Sequence, residues 1–380
     1  MWALGLVSLF MDTSSELVHS LLPVFLVSGL GASMTSVGLI EGVAEATALI
    51  TRIFSGALSD YLGRRKALTA LGYGLAAITK PLFPLAGSIG VVLAARFIDR
   101  IGKGIRGAPR DALVADLSPP HLRGASFGLR QALDTVGAFA GPVIALVAMA
   151  ALANDIRAVF WIAVLPALLS VAILLVFVEE PDRQPTTGAA PIPLRLADVM
   201  TLGPAYWAVV TAGAVLTLAR FSEAFLVLRA SGSGLALTLV PLVLVAMNIA
   251  YAASAYPAGV WSDRAGRRVV LLSGVAVLAL ADVVLATASS IWIVLGGIAL
   301  WGVHMGLTQG LLTTMVTDVA PANLRGTAFG VFNLVSGLAL LTASAVAGIL
   351  WDRFGPQGTF AAGAVFSLIA LGGLAFARET

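Results

Sequence analysis

Carboxylate side chains recur at helical spacing inside long apolar stretches of this chain. Asp12 and Glu16 stand four residues apart in the first stretch, and Glu41 and Glu45 stand four apart in the second. Four residues is about one helical turn, so each pair lies on one helix face. Acids held so close in apolar surroundings are suited to binding and releasing protons. We therefore predict that proton exchange takes place at these four residues or at Asp99, another acid inside an apolar stretch.

The fourth apolar stretch carries a dense row of charge. Its charged residues are Arg96, Asp99, Arg100, Lys103, Arg106, Arg110 and Asp111. At about 100° per residue they fall within roughly 140° of arc, so they form one stripe. Because guanidinium groups bind carboxylates and other oxyanions, we predict that Arg100 and Lys103, supported by Arg96, bind an anionic or zwitterionic small molecule or an anionic metal chelate. Neutral residues of the second half are predicted to complete this site, namely Asn248, Tyr251 and His304.

The balance of charge leaves a second interpretation open. The acids and bases buried in the first half are equal in number, so they could pair with one another and bind nothing. Buried ion pairs stabilise a fold poorly compared with apolar packing, which makes a network of this size costly as a scaffold alone. We therefore favour a functional role for the cluster and keep the purely structural one as the alternative.

The composition is that of an integral membrane protein. Hydrophobic residues make up 59% of the chain and charged residues 11%, against about 45–50% and about 25% in soluble domains. A net charge of +3 is too small to indicate nucleic-acid binding, and the chain has no cysteine for a disulfide, a thiolate metal site or a cysteine nucleophile. The sequence contains neither a nucleotide-binding motif nor a metal or catalytic residue set, so we expect no cofactor and no enzymatic activity.

Twelve apolar stretches are long enough to cross a bilayer as helices. They span about 3–27, 36–57, 67–86, 89–117, 125–150, 157–178, 204–229, 235–258, 269–287, 290–317, 327–350 and 357–377. We predict an all-α membrane protein with two six-helix bundles, 1–178 and 204–380, joined by a linker at 179–203. Basic loops concentrate on one side, which places both termini in the cytoplasm of a multi-pass protein of the cell membrane, the inner membrane in a bacterium.

Two motifs each occur twice, in the same order and at nearly the same offset. One runs from Gly56 to Arg65 and again from Gly259 to Arg268. The other begins at Asp116 and again at Asp318. Two motifs repeated in step indicate two copies of one unit, and parallel repeats in a membrane protein are typical of transporters with a site between the halves.

The first motif resembles the signature G-x-L-x-D-x-x-G-R-R of the major facilitator superfamily, and the resemblance covers essentially the whole chain. The matching residues are Gly56, Leu58, Asp60, Gly63, Arg64 and Arg65, with a degenerate copy at Gly259, Asp263, Gly266, Arg267 and Arg268. The resemblance implies a monomeric secondary transporter that works by alternating access. A charged helix end can latch and release, so we predict a gate formed by Gly56, Asp60, Arg64, Gly259, Asp263 and Arg267.

A further element concerns direction. Gly137, Gly141 and Pro142 in the fifth stretch resemble the G-x-x-x-G-P element of exporters in this family. Together with the membrane carboxylates, this resemblance implies proton-coupled efflux, and the pattern is closest to proton-coupled efflux members. The alternatives are a proton-coupled importer of an organic anion and, more remotely, a transporter-shaped receptor or a membrane enzyme.

Overall fold

A computed structural model describes residues 1–62, 64–180, 199–321 and 324–376, and all regular structure in them is helical. The helices are α1 (Trp2–Val24), α2 (Met34–Leu62), α3 (Arg65–Thr79), α4 (Leu82–Leu85), α5 (Ile89–Asp116), α6 (Arg123–Ala151), α7 (Ile156–Ile162), α8 (Val164–Phe177), α9 (Pro204–Ala219), α10 (Ala224–Gly232), α11 (Leu242–Ala265), α12 (Arg267–Thr287), α13 (Ile291–Val319) and α14 (Arg325–Phe376). Each predicted span coincides with one helix or with consecutive helical segments. Most of the predicted linker at 179–203 lies outside the described residues.

The last two predicted spans form the two arms of α14. Gly355 interrupts the helix with φ 70° and ψ −175°, in the left-handed region that favours glycine. Just beyond it the chain runs back on itself, because the Thr359 hydroxyl donates to the Ala347 carbonyl oxygen at 3.1 Å. A single non-helical residue, Gly355, therefore separates the two helical arms.

The first third of the chain differs from the rest in polarity. Seven helices of the described residues are long and apolar enough to cross a membrane by length and composition, and all of them begin at Arg123 or later. Of the earlier helices, α3 has only 15 residues and α5 carries the charged stripe. The third span is therefore excluded by the length of α3, and the charged stripe makes α5 too polar to count as an apolar span.

The chain forms two compact units. The first comprises Met1–Leu30 and Val43–Pro193, and the second comprises Gly31–Gly42 and Leu194–Thr380. In the first unit α1 packs on α6 and α8, and α3 packs on α5. In the second, α9 packs on α14, and α12 packs on α13 and α14. The pairing of α1 with α6 and α3 with α5 thus recurs as α9 with α14 and α12 with α13, as the internal repeat requires.

Glycines bring α6 into backbone contact with α1. A Cβ added at Gly137 would lie 2.5 Å from the Leu9 carbonyl oxygen, and one added at Gly141 would lie 2.6 Å from the Thr13 carbonyl oxygen. These distances are too short for any side chain, so the two glycines are needed for close helix packing. The predicted exporter element therefore has a definite packing role in the first unit.

This contact gives a first prediction. Gly141→Ala is expected to destabilise the protein by about 1–3 kcal/mol, the usual cost of overpacking a tight site, and to lower its melting temperature. Gly128→Ala on the same helix is the matched control, because a Cβ there meets nothing within 4 Å. Since alanine favours helix over glycine by up to about 1 kcal/mol, Gly128→Ala should be neutral or stabilising. Equal melting temperatures for the two variants would contradict the proposed packing.

Candidate functional site

A buried lysine forms the innermost ion pair of the first unit. Lys80 lies in the break between α3 and α4, and its Nζ is 2.9 Å from Asp99 Oδ1 and 3.0 Å from Ser15 Oγ. Lys80 and Asp99 are 1% and 2% exposed. Lys80 is absent from the predicted site, although a single lysine before Pro81 in an apolar stretch is a signal that could have identified it. Asp99 is thus held by a partner on another helix.

Two arginines of the predicted substrate site also have partners. Arg100 Nη2 lies 3.3 Å from a Glu45 carboxylate oxygen on α2, and Arg100 Nε lies 3.9 Å from Asp99. Arg96 Nη2 lies 2.9 Å from Nδ1 of His19 on α1. The stripe on α5 therefore reaches α1, α2 and the break after α3 through polar contacts. This arrangement agrees in part with the purely structural interpretation, which expected acids and bases to pair.

Toward the end of α5, Asp111 lies within ion-pair distance of basic side chains from three helices. Its carboxylate lies 3.1 Å from Arg110, 3.5 Å from Arg52 and 3.8 Å from Arg130. Arg130 is also ion-paired to Asp134 one turn along α6. The cluster contains more arginines than acids, and its members tie α2, α5 and α6 together.

Three of the predicted residues differ from this pattern. In the part of the chain that the structure describes, Asp12, Glu16 and Lys103 form no ion pair at contact distance. Asp12 and Glu16 are half-buried on α1, whereas Lys103 is exposed on α5. All three residues belong to the first unit. These two acids and this lysine therefore stand apart from the ion pairs described above.

The exporter element borders these acids directly. A Cβ at Gly137 would lie 3.2 Å from the Asp12 Cβ, and one at Gly141 would lie 2.9 Å from the Glu16 Cβ. The glycines thus bring α6 against the helix face that bears both carboxylates. The sequence named these two features separately, and the fold of the first unit brings them together.

The predicted residues of the second unit do not converge in the same way. His304 is 2% exposed, and its Nδ1 lies 2.8 Å from the Gly274 carbonyl oxygen on α12. Asn248 and Tyr251 are half-buried on α11. His304 is therefore engaged with the neighbouring helix, and its role in binding, like that of Asn248 and Tyr251, stays a prediction. Of the other acids predicted to exchange protons, Glu41 is buried on α2, and Glu45 and Asp99 form the ion pairs given above.

The two repeated motifs meet each other within each unit. Arg65 of the first motif is ion-paired to Asp116 of the second, and Arg267 is likewise ion-paired to Asp318. The sequence contained a signal for these pairs, because the two motifs repeat at nearly the same offset and residues repeated in step can be partners in each copy. Of the other predicted gate residues, Arg64, Asp263 and Gly259 are exposed and Gly56 is half-buried, while the side chain of Asp60 lies outside the described part.

Comparison with known proteins gives a consistent result. A family model described as Major Facilitator Superfamily matches residues 4–231 and 224–380. An uncharacterized MFS-type transporter of Methanocaldococcus jannaschii is 32% identical over 97% of this chain and 92% of its own length. The quinolone resistance protein NorA of Staphylococcus aureus is 28% identical over 53% of this chain and 50% of its own.

Solved structures extend the likeness to the whole fold. A POT family transporter in complex with 5-aminolevulinic acid matches with a TM-score of 0.83, at 13% identity, over 97% of this chain and 94% of that one. At such low identity the likeness shows the fold alone.

Proposed function

Because this chain belongs to the major facilitator superfamily, whose members are secondary transporters, we propose that it exports a small anionic or zwitterionic solute, or an anionic metal chelate, in exchange for protons. It is a multi-pass membrane protein and not an enzyme. The protein therefore transports a small molecule across the bilayer. The substrate class, the direction and the coupling ion are the parts that we propose.

One observation carries the proposal: among the residues that the structure describes, Asp12, Glu16 and Lys103 form no ion pair. Arg100 and Asp99 each have a partner of opposite charge, so their charges are largely satisfied within the protein. Two carboxylates one turn apart are suited to proton coupling, and an exposed ammonium group in the same unit is suited to an anionic substrate. We therefore propose Lys103 as the main substrate contact, with Arg96 and Arg100 at its borders and Glu41, Glu45 and Asp99 as secondary candidates for proton coupling.

Two observations support export. Gly137, Gly141 and Pro142 resemble the exporter element and border the two acids. The partial similarity to NorA, which covers about half of each chain, points the same way. A proton-coupled importer of an organic anion would use the same residues in the opposite direction, and it is our second candidate.

We also propose an orientation and a gate. With both termini in the cytoplasm, the Arg65–Asp116 and Arg267–Asp318 pairs lie at the cytoplasmic ends of their helices. Gate residues Asp60 and Asp263 stand in the same motifs, at the ends of α2 and α11. Charged groups grouped at helix ends can pair differently in different states, which supports a role in gating.

The test begins with a substrate screen. The melting temperature of the purified protein would be measured with organic anions, metal chelates and antibiotics, and stabilising compounds would then be supplied outside vesicles that contain the protein. Export predicts that a proton gradient drives accumulation in inside-out vesicles, whereas import predicts accumulation in right-side-out vesicles. Accumulation that is insensitive to the proton gradient would contradict both forms of proton coupling.

A second prediction separates binding from structure. Lys103→Gln is expected to weaken substrate binding roughly tenfold to hundredfold, because a hydrogen bond to a charged group is worth about 1.5–3 kcal/mol, while the melting temperature stays the same. Arg100→Gln is the contrasting variant, since it removes the ion-pair partner of Glu45 and should lower the melting temperature. If Lys103→Gln melts earlier and binds normally, Lys103 is structural and the proposed contact is wrong.

A further inference from the structure

Arg106 is a buried arginine on α5 without a counter-charge in the part of the chain that the structure describes. It is 5% exposed and forms no ion pair there, and its buried Nη1 has no hydrogen-bond partner. The guanidinium instead lies over the ring of Tyr73 on α3, 4.7 Å from the ring centre. A ring face attracts a cation, but it accepts no in-plane hydrogen bond from the guanidinium as a carboxylate does. Arg106 therefore keeps a donor that the described residues do not use.

Arg157 on α7 is a useful comparison from the same unit. Its guanidinium also lies over an aromatic ring, 5.0 Å from the centre of Phe25. Its Nη1, however, donates a hydrogen bond to the Pro84 carbonyl oxygen at 2.6 Å. The contacts of Arg157 are thus completed by the backbone, whereas Arg106 has only its ring. This difference is what a ligand-binding arginine requires, because a buried cation without a partner is stabilised when an anion binds.

A second guanidinium reaches the same place from one turn further along α5. Arg110 Nη1 donates to Ser8 Oγ on α1 at 3.2 Å, and Ser8 Oγ lies 3.2 Å from the Tyr73 hydroxyl oxygen. Tyr73 is therefore the common neighbour, since its ring contacts Arg106 and its hydroxyl contacts the serine that Arg110 binds. Residues four apart also lie on one helix face. Two guanidinium groups so placed are suited to holding a single oxyanion between them.

The charge around this spot is positive in sum. The charged side chains are Arg52, Arg106, Arg110 and Arg130 as bases, and Asp111 and Asp134 as acids. The bases still outnumber the acids when Asp12, one turn along α1 from Ser8, is added to the count. Like charges held together repel one another, and a bound anion lowers that repulsion. The excess of bases therefore favours an anionic ligand over a cationic one.

The exposed fraction of these side chains falls along their chain of contacts. It is 53% for Arg52, 29% for Asp111 and 14% for Arg110, and Arg106 at the inner end is 5% exposed. A charged side chain in a membrane protein is far less costly against water than against lipid, so the exposed end opens to water. We propose that Arg106 and Arg110 form a binding site for a small oxyanion, such as phosphate or a carboxylate, about one turn along α5 from Lys103.

Binding of inorganic phosphate tests this site without any transported substrate, so its outcome is separate from that of the proposed function. Isothermal titration calorimetry in nanodiscs of zwitterionic lipid, at constant ionic strength, should show saturable binding of phosphate to the native protein. Arg106→Gln should weaken this binding about tenfold or more. Its melting temperature without phosphate should stay the same or rise, because a buried charge without a partner is removed. Absence of saturable binding, or equal affinity in Arg106→Gln, would overturn the proposal.

Two further variants keep the test decisive. Arg157→Gln is the matched control, and it should lower the melting temperature while leaving the affinity for phosphate unchanged, the opposite of Arg106→Gln. Asp111→Asn removes an acid that competes for Arg110, so it should strengthen phosphate binding about twofold to fivefold. Misfolding cannot produce such a gain, so this variant decides the matter even if Arg106→Gln folds poorly. Unchanged or weaker phosphate binding in Asp111→Asn would contradict the site.

The same assay identifies the source of the oxyanion. Replacing part of the lipid with phosphatidylglycerol should leave the affinity for phosphate unchanged, because Arg106 is enclosed by protein. Competition by phosphatidylglycerol would assign the two arginines to a lipid headgroup and overturn the proposal of a site for a free oxyanion.

Discussion

Lys80→Met is expected to lower the free energy of unfolding by about 3–5 kcal/mol, one of the two largest effects that we predict. Its ammonium group is 2.9 Å from Asp99 in a buried setting, so its removal leaves the Asp99 carboxylate without its principal counter-charge. Arg100, at 3.9 Å and already paired with Glu45, can compensate only in part. Reversible unfolding in mixed micelles would measure the change.

Two variants test the cause of this loss. Lys80→Met combined with Asp99→Leu removes both charges and should recover much of the lost stability, because replacing a whole buried pair with apolar groups is often neutral or better. Lys103→Met makes the same side-chain change at a lysine that forms no ion pair in the described structure, and it should cost less than about 1 kcal/mol. If the double variant is no more stable than Lys80→Met alone, the pair does not explain the loss.

Loss of proton-driven transport is the other large effect, and we expect it in at least one of Asp12→Asn and Glu16→Gln. These acids form no ion pair at contact distance among the described residues, so a carboxylate here can take up a proton without an ion pair being broken. A variant without the coupling carboxylate should still exchange substrate down its own gradient. Accumulation under a proton gradient should fall to the level seen without one.

Uptake of external substrate by vesicles under a pH gradient would measure this, with downhill exchange from substrate-loaded vesicles recorded in parallel. Glu45→Gln is the control, because Glu45 is held by Arg100 and its loss should appear mainly in the melting temperature. Full gradient-driven transport in both Asp12→Asn and Glu16→Gln would move the coupling role to Glu41, Glu45 or Asp99. Full transport in all five single variants would end the assignment.

The membrane fold could be predicted because its signals are local. Apolar runs predict where the spans lie, and the paired motifs predict the internal repeat. Neither prediction requires knowledge of which helices are in contact. The spans 327–350 and 357–377 were predicted as two helices, and the structure has two helical arms that meet at Gly355 with a shorter connection than the predicted one.

The partners of the buried charges could be predicted only in part. Helical spacing placed the α5 charges on one stripe, but which base meets which acid depends on where α1, α2 and α3 cross α5. Lys80 was not predicted as a site residue because it stands alone in its span. The contact of Asp352 with the start of α2 was not predicted because its partners are backbone amides, which nearly every residue has. Side chains that bind backbone leave no pattern of paired residue types.

The reversal at Gly355 also bears on how the protein reaches the bilayer. Because the chain turns back at Gly355, only a short segment that includes Asp352 and Arg353 joins the two arms of α14. The two arms should therefore enter the membrane together, as a preformed helical hairpin. A bulkier residue at Gly355 should therefore lower the yield of membrane-inserted protein, an effect on biogenesis that precedes any step of the transport cycle.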